Sequence, residues 1–251
     1  ADMFRGREEI IRTLRRAGGK TVLFSGRLMG KSSVLKKIHR EIEESRTEGA
    51  PVKDFSVFVS SRAADPTFAV VSELVKGFSG ARGPELLNEF RKASEMDAKA
   101  RTGRSLSNRR LNKFREIVSL LLAKYRHLSI LIDEADEFAR AEVNVSREDS
   151  LAWLLRDLEM ENPDKVRVVF AGFQRIHHEV MFRNGAFANW YGLQVLGPVE
   201  EDEARKLVVE PFADFGLIFA SEAGPERILE FTGRHPLLLH YTCSKLMDRV
   251  A

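Results

Sequence analysis

The sequence predicts an α/β fold: a parallel sheet with helices on both faces, followed by a small all-helical subdomain. Short apolar runs of strand length alternate with helical periods between Thr21 and Leu196. Those runs are apolar at consecutive rather than alternate positions, as strands covered on both faces require. After Gly197-Pro198 no such run recurs, and the remainder to Ala251 reads as helices punctuated by Pro211, Gly224-Pro225, Gly233 and Pro236.

In chain order, a charged amphipathic segment comes first, then a short strand at Thr21–Phe24. A helix follows from Lys31 to about Ser45, with Val34, Leu35, Ile38 and Ile42 on one face. Val52–Ser60, rich in Val and Phe, reads as a strand, and Pro66–Lys76 as a helix with proline in its first turn. Leu111–Lys124 is a helix and Leu128–Ile132 a strand. A helix over Ser146–Met160 carries Leu151, Leu154, Leu155 and Leu158, and Asn162-Pro163-Asp164 is a turn. Val166–Ala171 is a buried strand and Leu193–Leu196 the last one. The Gly-Pro pair sets the expected boundary, giving a core over 1–198 and helices over 199–251.

Composition excludes several classes. The 251 residues suit one large or two modest domains. At 43% hydrophobic and 31% charged, the chain has too much apolar side chain for wholesale disorder. No apolar run nears the roughly 20 residues that span a bilayer, and no charged-then-apolar leader opens the chain. The single cysteine, Cys243, cannot form an internal disulfide, which points to a reducing compartment, the cytoplasm. A net charge of +3 does not establish a nucleic-acid partner. The chain begins at Ala1 in a charged segment, so a piece cut from a longer protein is expected.

The most informative segment runs from Phe24 to Ser33, between a strand and a helix. The phosphate-binding loop pattern is G-x-x-x-x-G-K-[ST]. Gly30, Lys31 and Ser32 match it; Ser25 holds the first glycine place, with Gly26 one position later. Gly30 lets the backbone curl so that successive amides face phosphate oxygens. The helix N-terminus adds partial positive charge. The Lys31 ammonium can bridge β- and γ-phosphates, and the Ser32 hydroxyl can ligate Mg²⁺, a hard cation.

Such a loop needs an acidic partner, and Leu128–Glu137 supplies it. The apolar run puts Asp133 at the carboxyl end of a buried strand, where open α/β sheets bind ligands. Asp133 is the candidate Mg²⁺ holder and Glu134 the candidate to polarise an attacking water. Two adjacent buried carboxylates need a metal or lysine nearby. Asp136 and Glu137 read instead as caps of the following helix.

Together these motifs resemble P-loop NTPases that carry a catalytic glutamate after Walker B. Within them the chain looks like the STAND class of signal-transduction ATPases, near the AAA+ and origin-recognition-type ATPases. Phe4-Arg5-Gly6-Arg7-Glu8-Glu9-Ile10 is similar to the Gly-Arg-Glu motif that precedes the loop strand in STAND proteins. Arg27–Leu35 looks like their loop, and Gly233-Arg234-His235-Pro236-Leu237 is similar to their lid motif. The resemblance implies an ATP/ADP-controlled, Mg²⁺-dependent switch that assembles into a homo-oligomer on ATP binding, with effector and sensor domains elsewhere in a full-length chain. It places Gly6 and Arg7 near the base. Ser25, Gly26, Arg27, Met29, Gly30, Lys31, Ser32 and Ser33 surround the phosphates, and His235 and Pro236 approach from the lid. Val166–Ala171 would be the strand between the loop strand and the Walker-B strand. It ends in Gly172-Phe173-Gln174-Arg175 where Ser, Thr or Asn is usual. No arginine finger can be named from sequence, which implies slow hydrolysis or help from a neighbouring subunit.

Phe78–Glu116 reads as a basic insertion. Its part from Ala98 to Asn112 lacks a strong apolar period. A solvated face is the plain reading; nucleic acid is the functional one. His177-His178-Glu179 lacks further ligands at metal spacing. Trp153, Trp190 and Cys243 read as packing residues. Alternatives to the switch are a DNA-binding AAA+-type loader or transposition-type ATPase, and a hydrolysis-silent scaffold that keeps ADP. A metabolite kinase fits less well, because a helical tail stands where a substrate lid would be needed.

Overall fold

The computed structural model describes residues 6–15, 21–47, 54–61, 65–100, 108–142, 145–182, 185–188, 190 and 192–250 of the chain. Helix α1 (Glu8–Arg15) opens with two glutamates, ends in arginine as the helix dipole favours, and buries Ile11 and Leu14. Strand β1 (Thr21–Phe24) leads into α2 (Lys31–Thr47), and β2 (Asp54–Ser60) into α3 (Pro66–Leu74). Proline sits in the first turn of α3, and the Asp65 carboxylate accepts the Phe68 amide at 3.0 Å. A single 3-10 turn at Val75–Gly77 closes that helix. Helices α4 (Arg82–Ala100) and α5 (Arg109–Lys124) precede β3 (His127–Asp133) and α6 (Ala135–Glu142). Helix α7 (Leu151–Glu161), β4 (Val166–Gly172), α8 (Gln174–Phe182) and β5 (Gly192–Val195) complete the α/β part. Helices α9 (Glu201–Asp214), α10 (Ala223–Thr232) and α11 (Pro236–Val250) form the helical subdomain.

Among the described residues the strands make one parallel sheet in the order β2-β3-β4-β1-β5. The two-residue period of a strand sends neighbouring side chains to opposite faces. Val22, Ile130 and Val168 therefore join one apolar cluster, packed under α3 to α8, while Leu23, Leu131 and Val169 join another, under α1 and α2. Helices α9 to α11 enclose a third cluster containing Val208, Leu229, Leu239 and Cys243. Trp190 is fully buried, 5.0 Å from the Phe170 ring.

The segment expected to be a solvated insertion departs from that reading. Helix α4 runs to Ala100 and packs on α5, with Leu86, Phe90, Leu111 and Phe114 in the main core. Residues 101–107 of the stretch lie outside the described residues. The dense charge on the outer face of α4 hides its apolar period from a reading of sequence.

Glu142 at the end of α6 caps α7 from outside, accepting Ser150 Oγ at 2.5 Å and the Ala152 amide at 3.0 Å. Burial pushes its carboxyl above the usual range, and these hydrogen bonds oppose the shift. No described helix is long and apolar enough to cross a membrane.

Candidate nucleotide site

The loop after β1 bends at Leu28 (φ 60°) and Gly30 (φ 94°) before α2 starts at Lys31. A Cβ on Gly30 would meet nothing within 4 Å, so it is the backbone angle and not crowding that demands glycine there. The first bond of α2 runs from the Val34 amide to the Gly30 carbonyl at 3.0 Å. The amides of Lys31, Ser32 and Ser33 therefore have no carbonyl one turn back, and they open the positive end of the helix. Lys31 Nζ folds across the loop and donates to the Ser25 carbonyl at 3.2 Å, Ser25 Oγ at 3.1 Å and the Gly26 carbonyl at 2.8 Å. Ser25, 1% exposed, is thus a direct partner of the lysine. Burial lowers the Lys31 pKa, while Asp133 and then Asp136 pull it back up.

Two strands away, β3 ends at Asp133, which is 6% exposed. Its Oδ1 accepts the Glu134 amide at 2.9 Å. Glu134 itself is left-handed, at φ 55°. The register of β2 on β3 sets Ser60 opposite Asp133. Ser60 Oγ donates to Glu134 Oε2 at 3.0 Å, and Ser61 Oγ donates to the Asp133 carbonyl at 2.9 Å and to the Glu134 carbonyl. Sequence reading missed both serines. Their only signal is a polar pair ending a strand, and it acquires meaning once the register is known.

Between these walls β4 ends in Gly172, and the Phe173, Arg175 and Ile176 amides donate to the Asp136 carboxylate. Asp136 stands in the first turn of α6, as the sequence predicts, and its carboxylate also caps α8. One cleft of ≈ 830 Å³ is lined by Arg27, Gly30, Lys31, Ser32 and Ser33 on one side and Asp133, Glu134 and Asp136 on the other, with Gln174 and Arg175 at its edge. Met29 packs instead against the apolar cluster under α2, and Gly26 stands next to it.

The remaining expected residues lie outside that lining. Gly6 and Arg7 both have φ near 72°. The Arg7 guanidinium is buried and donates to the Gly197 and Pro198 carbonyls, each at 2.7 Å, with Glu200 at 3.9 Å. It thus pins the connector between β5 and α9. Pro236 opens α11, and His235 before it brings Nε2 to 3.3 Å from the Arg27 carbonyl.

Known structures share this fold. The Walker-type ATPase of Pyrococcus abyssi superposes with a TM-score of 0.55 at 18% identity, over 97% of this chain and 68% of that one. The fold is that of a P-loop NTPase. The Aeropyrum pernix ORC1 protein, solved in complex with DNA, gives a TM-score of 0.51 at 17% identity, covering 86% and 51% of the two chains. AMPPCP-bound DnaA from Aquifex aeolicus gives 0.52 at 12% identity, covering 96% and 58%. The chain thus spans little more than half the length of the last two. No protein-family model matches the chain, and no curated protein sequence matches it.

The donors in the P-loop cleft suit a magnesium ion. Ser32 and Asp133 offer hard oxygens, and among the described residues no group of three or more His, Cys, Asp or Glu side chains could cage a metal alone. Mg²⁺ normally takes few protein ligands and completes its shell with water and phosphate. Part of the basic charge of α4 and α5 is paired with acids. Arg82 pairs with Glu85 and Glu89, Lys113 with Glu89 and Glu116, Arg110 with Asp65, and Arg115 with Asp157 and Glu161.

Proposed function

We propose that this chain binds and hydrolyses ATP as the switch module of a STAND-type ATPase. Its α/β core would span 1–198 and its helical lid 199–251. The observation that carries the reading is the single cleft in which the helix-opening loop at Lys31 faces Asp133 and Glu134. In this reading Lys31 and the amides of Gly30 to Ser33 hold phosphate oxygens. Ser32 and Asp133 would hold Mg²⁺, which supplies charge neutralisation on the transferred phosphoryl group. Glu134, fixed by Ser60, orients a water and accepts its proton as the water oxygen bonds to the γ-phosphorus and the bond to the β-phosphate oxygen breaks. Gly6 and Arg7 border the base, with Arg7 also holding the core-to-lid connector.

His235 supports a switching role, because it joins the lid to the backbone of the P-loop. Any change of loop geometry on binding the γ-phosphate is then felt by the lid. Assembly into a homo-oligomer with ATP, attachment to effector and sensor domains, and a cytoplasmic setting complete the reading. Turnover is expected to be slow, because no arginine can be named as an arginine finger from the sequence.

A DNA-binding loader is the second reading, favoured by the likeness to the ORC1 structure solved with DNA. Arg82, Arg110, Lys113 and Arg115 are engaged by acids, which weighs against DNA contact through those four bases. Single-turnover hydrolysis of Mg-ATP, followed by titration with duplex DNA at several salt concentrations, tests both. Hydrolysis without salt-dependent DNA binding supports the switch; a steep salt slope supports the loader. Binding without hydrolysis removes the switch in favour of an ADP-holding scaffold.

A further inference from the structure

Asp136 stands in the first turn of α6, two residues after Glu134, yet its carboxylate serves another helix. Oδ2 accepts the Phe173 amide at 2.5 Å, and Oδ1 accepts the Arg175 and Ile176 amides at 2.7 and 3.2 Å. These amides open α8, whose first residues, Gln174 and Arg175, line the same cleft as Glu134. A local Ser or Asn would suffice to cap α8. The anchor comes instead from the segment that carries Glu134, and only the fully buried Ala135 separates the two acids. The end of β4 passes so close that a Cβ on Gly172 would lie 2.9 Å from Asp136 Oδ2 and would overlap Ile176.

We propose that Asp136 is a positioning residue: it locks the Gly172–Arg175 loop to the Glu134 segment, so that Gln174 and Arg175 are held at a fixed place in the cleft during hydrolysis. The inference rests on the ATP-hydrolysing reading above. Its charge logic separates it from a plain structural cap. The Asp136 carboxylate lies close enough to interact with Lys31, so it opposes an incoming phosphate chain. Removing that charge should not weaken nucleotide binding, whereas loosening the loop should slow the chemical step.

Asp136→Asn replaces one acceptor oxygen with a donor, so at least one of the three amides loses its partner. The test measures steady-state ATP hydrolysis, and affinity by titration with a fluorescent ATP analogue, on the whole chain. We expect kcat to fall about tenfold to a hundredfold, as a small misplacement of groups at the reacting centre does. Affinity should hold or tighten. In a Gln174→Ala, Arg175→Ala background, Asp136→Asn should lower kcat no further, because the effects share one route. Gly172→Ala, which pushes the same loop off the carboxylate, should give the same split and serves if Asp136→Asn fails to fold. Unchanged kcat, parallel loss of kcat and affinity, or additive effects in the combined variant would each overturn the inference. A wild-type chain that binds ATP and never hydrolyses it would instead remove the hydrolytic reading, and this inference with it.

Discussion

His235 Nε2 lies 3.3 Å from the carbonyl oxygen of Arg27, across 208 residues of chain. One belongs to the helical subdomain and the other to the P-loop. On the connector itself, Arg7 holds the carbonyls of Gly197 and Pro198. Among the described residues the helical subdomain is thus tied to the core through Arg7 at the connector and through His235 at the phosphate loop.

Lys31→Ala should abolish measurable nucleotide binding. Among the described residues Lys31 is the one lysine lining the cleft. Truncating one partner of a desolvated charge pair costs about 2–5 kcal/mol, or roughly 30-fold to several thousandfold in affinity. Equilibrium titration with labelled ATP measures it, and normal affinity in the variant would make the loop assignment wrong.

Glu134→Gln should bind ATP as tightly as the wild type and leave it intact, with kcat lowered by about 10²–10⁴ as for loss of a general base. Ser60→Ala should do the same more weakly, because it removes one hydrogen bond to Glu134 Oε2 and keeps the carboxylate. Quantifying ADP after a single turnover decides this; full turnover in the glutamine variant removes Glu134 from the mechanism.

Arg7→Ala should lower stability by about 2–4 kcal/mol, since two short hydrogen bonds from a buried charged donor are lost. Arg7→Lys, which cannot fork to both carbonyls, should fall between. Urea unfolding midpoints report the order; equal midpoints for all three proteins would mean that the connector is held by other contacts.

Glu142 should leave a pH signature. Burial raises its folded-state pKa above the unfolded value, so the folded chain binds the proton more tightly. Its contribution is then full below the usual carboxylate range and declines as pH rises through the folded pKa. Glu142→Gln should remove that slope. Denaturant midpoints of the two proteins, compared from mildly acidic to neutral pH, should converge on acidification if the sign is right and stay parallel if it is wrong.

The strands were legible to within two residues at each end because both-face burial leaves unbroken apolar runs at Leu128–Ile132 and Val166–Ala171. The position of β4 between β1 and β3 followed from the family resemblance, since no local pattern encodes strand order. Helix α4 was hidden because Leu86 and Phe90 are spaced among arginines, lysines and glutamates that pair along the helix surface. The cleft residues with a backbone reason to be there, Gly30 and Lys31, stood out in the sequence. Ser60, Ser61 and the Asp136 clamp did not, because each depends on a register or crossing that joins distant segments. Arg7 was expected at the base from resemblance alone; its guanidinium grips the connector, a contact with no signature in its neighbours in sequence.

The placement of β4 has one more consequence. Neighbouring strands repeat at about 4.8 Å, so a single intervening strand separates the two walls of the cleft by roughly 10 Å. That gauge belongs to backbone hydrogen bonding and is indifferent to which side chains decorate it. Substitution at Lys31, Asp133 or Glu134 can therefore redraw the chemistry of the gap without altering its width.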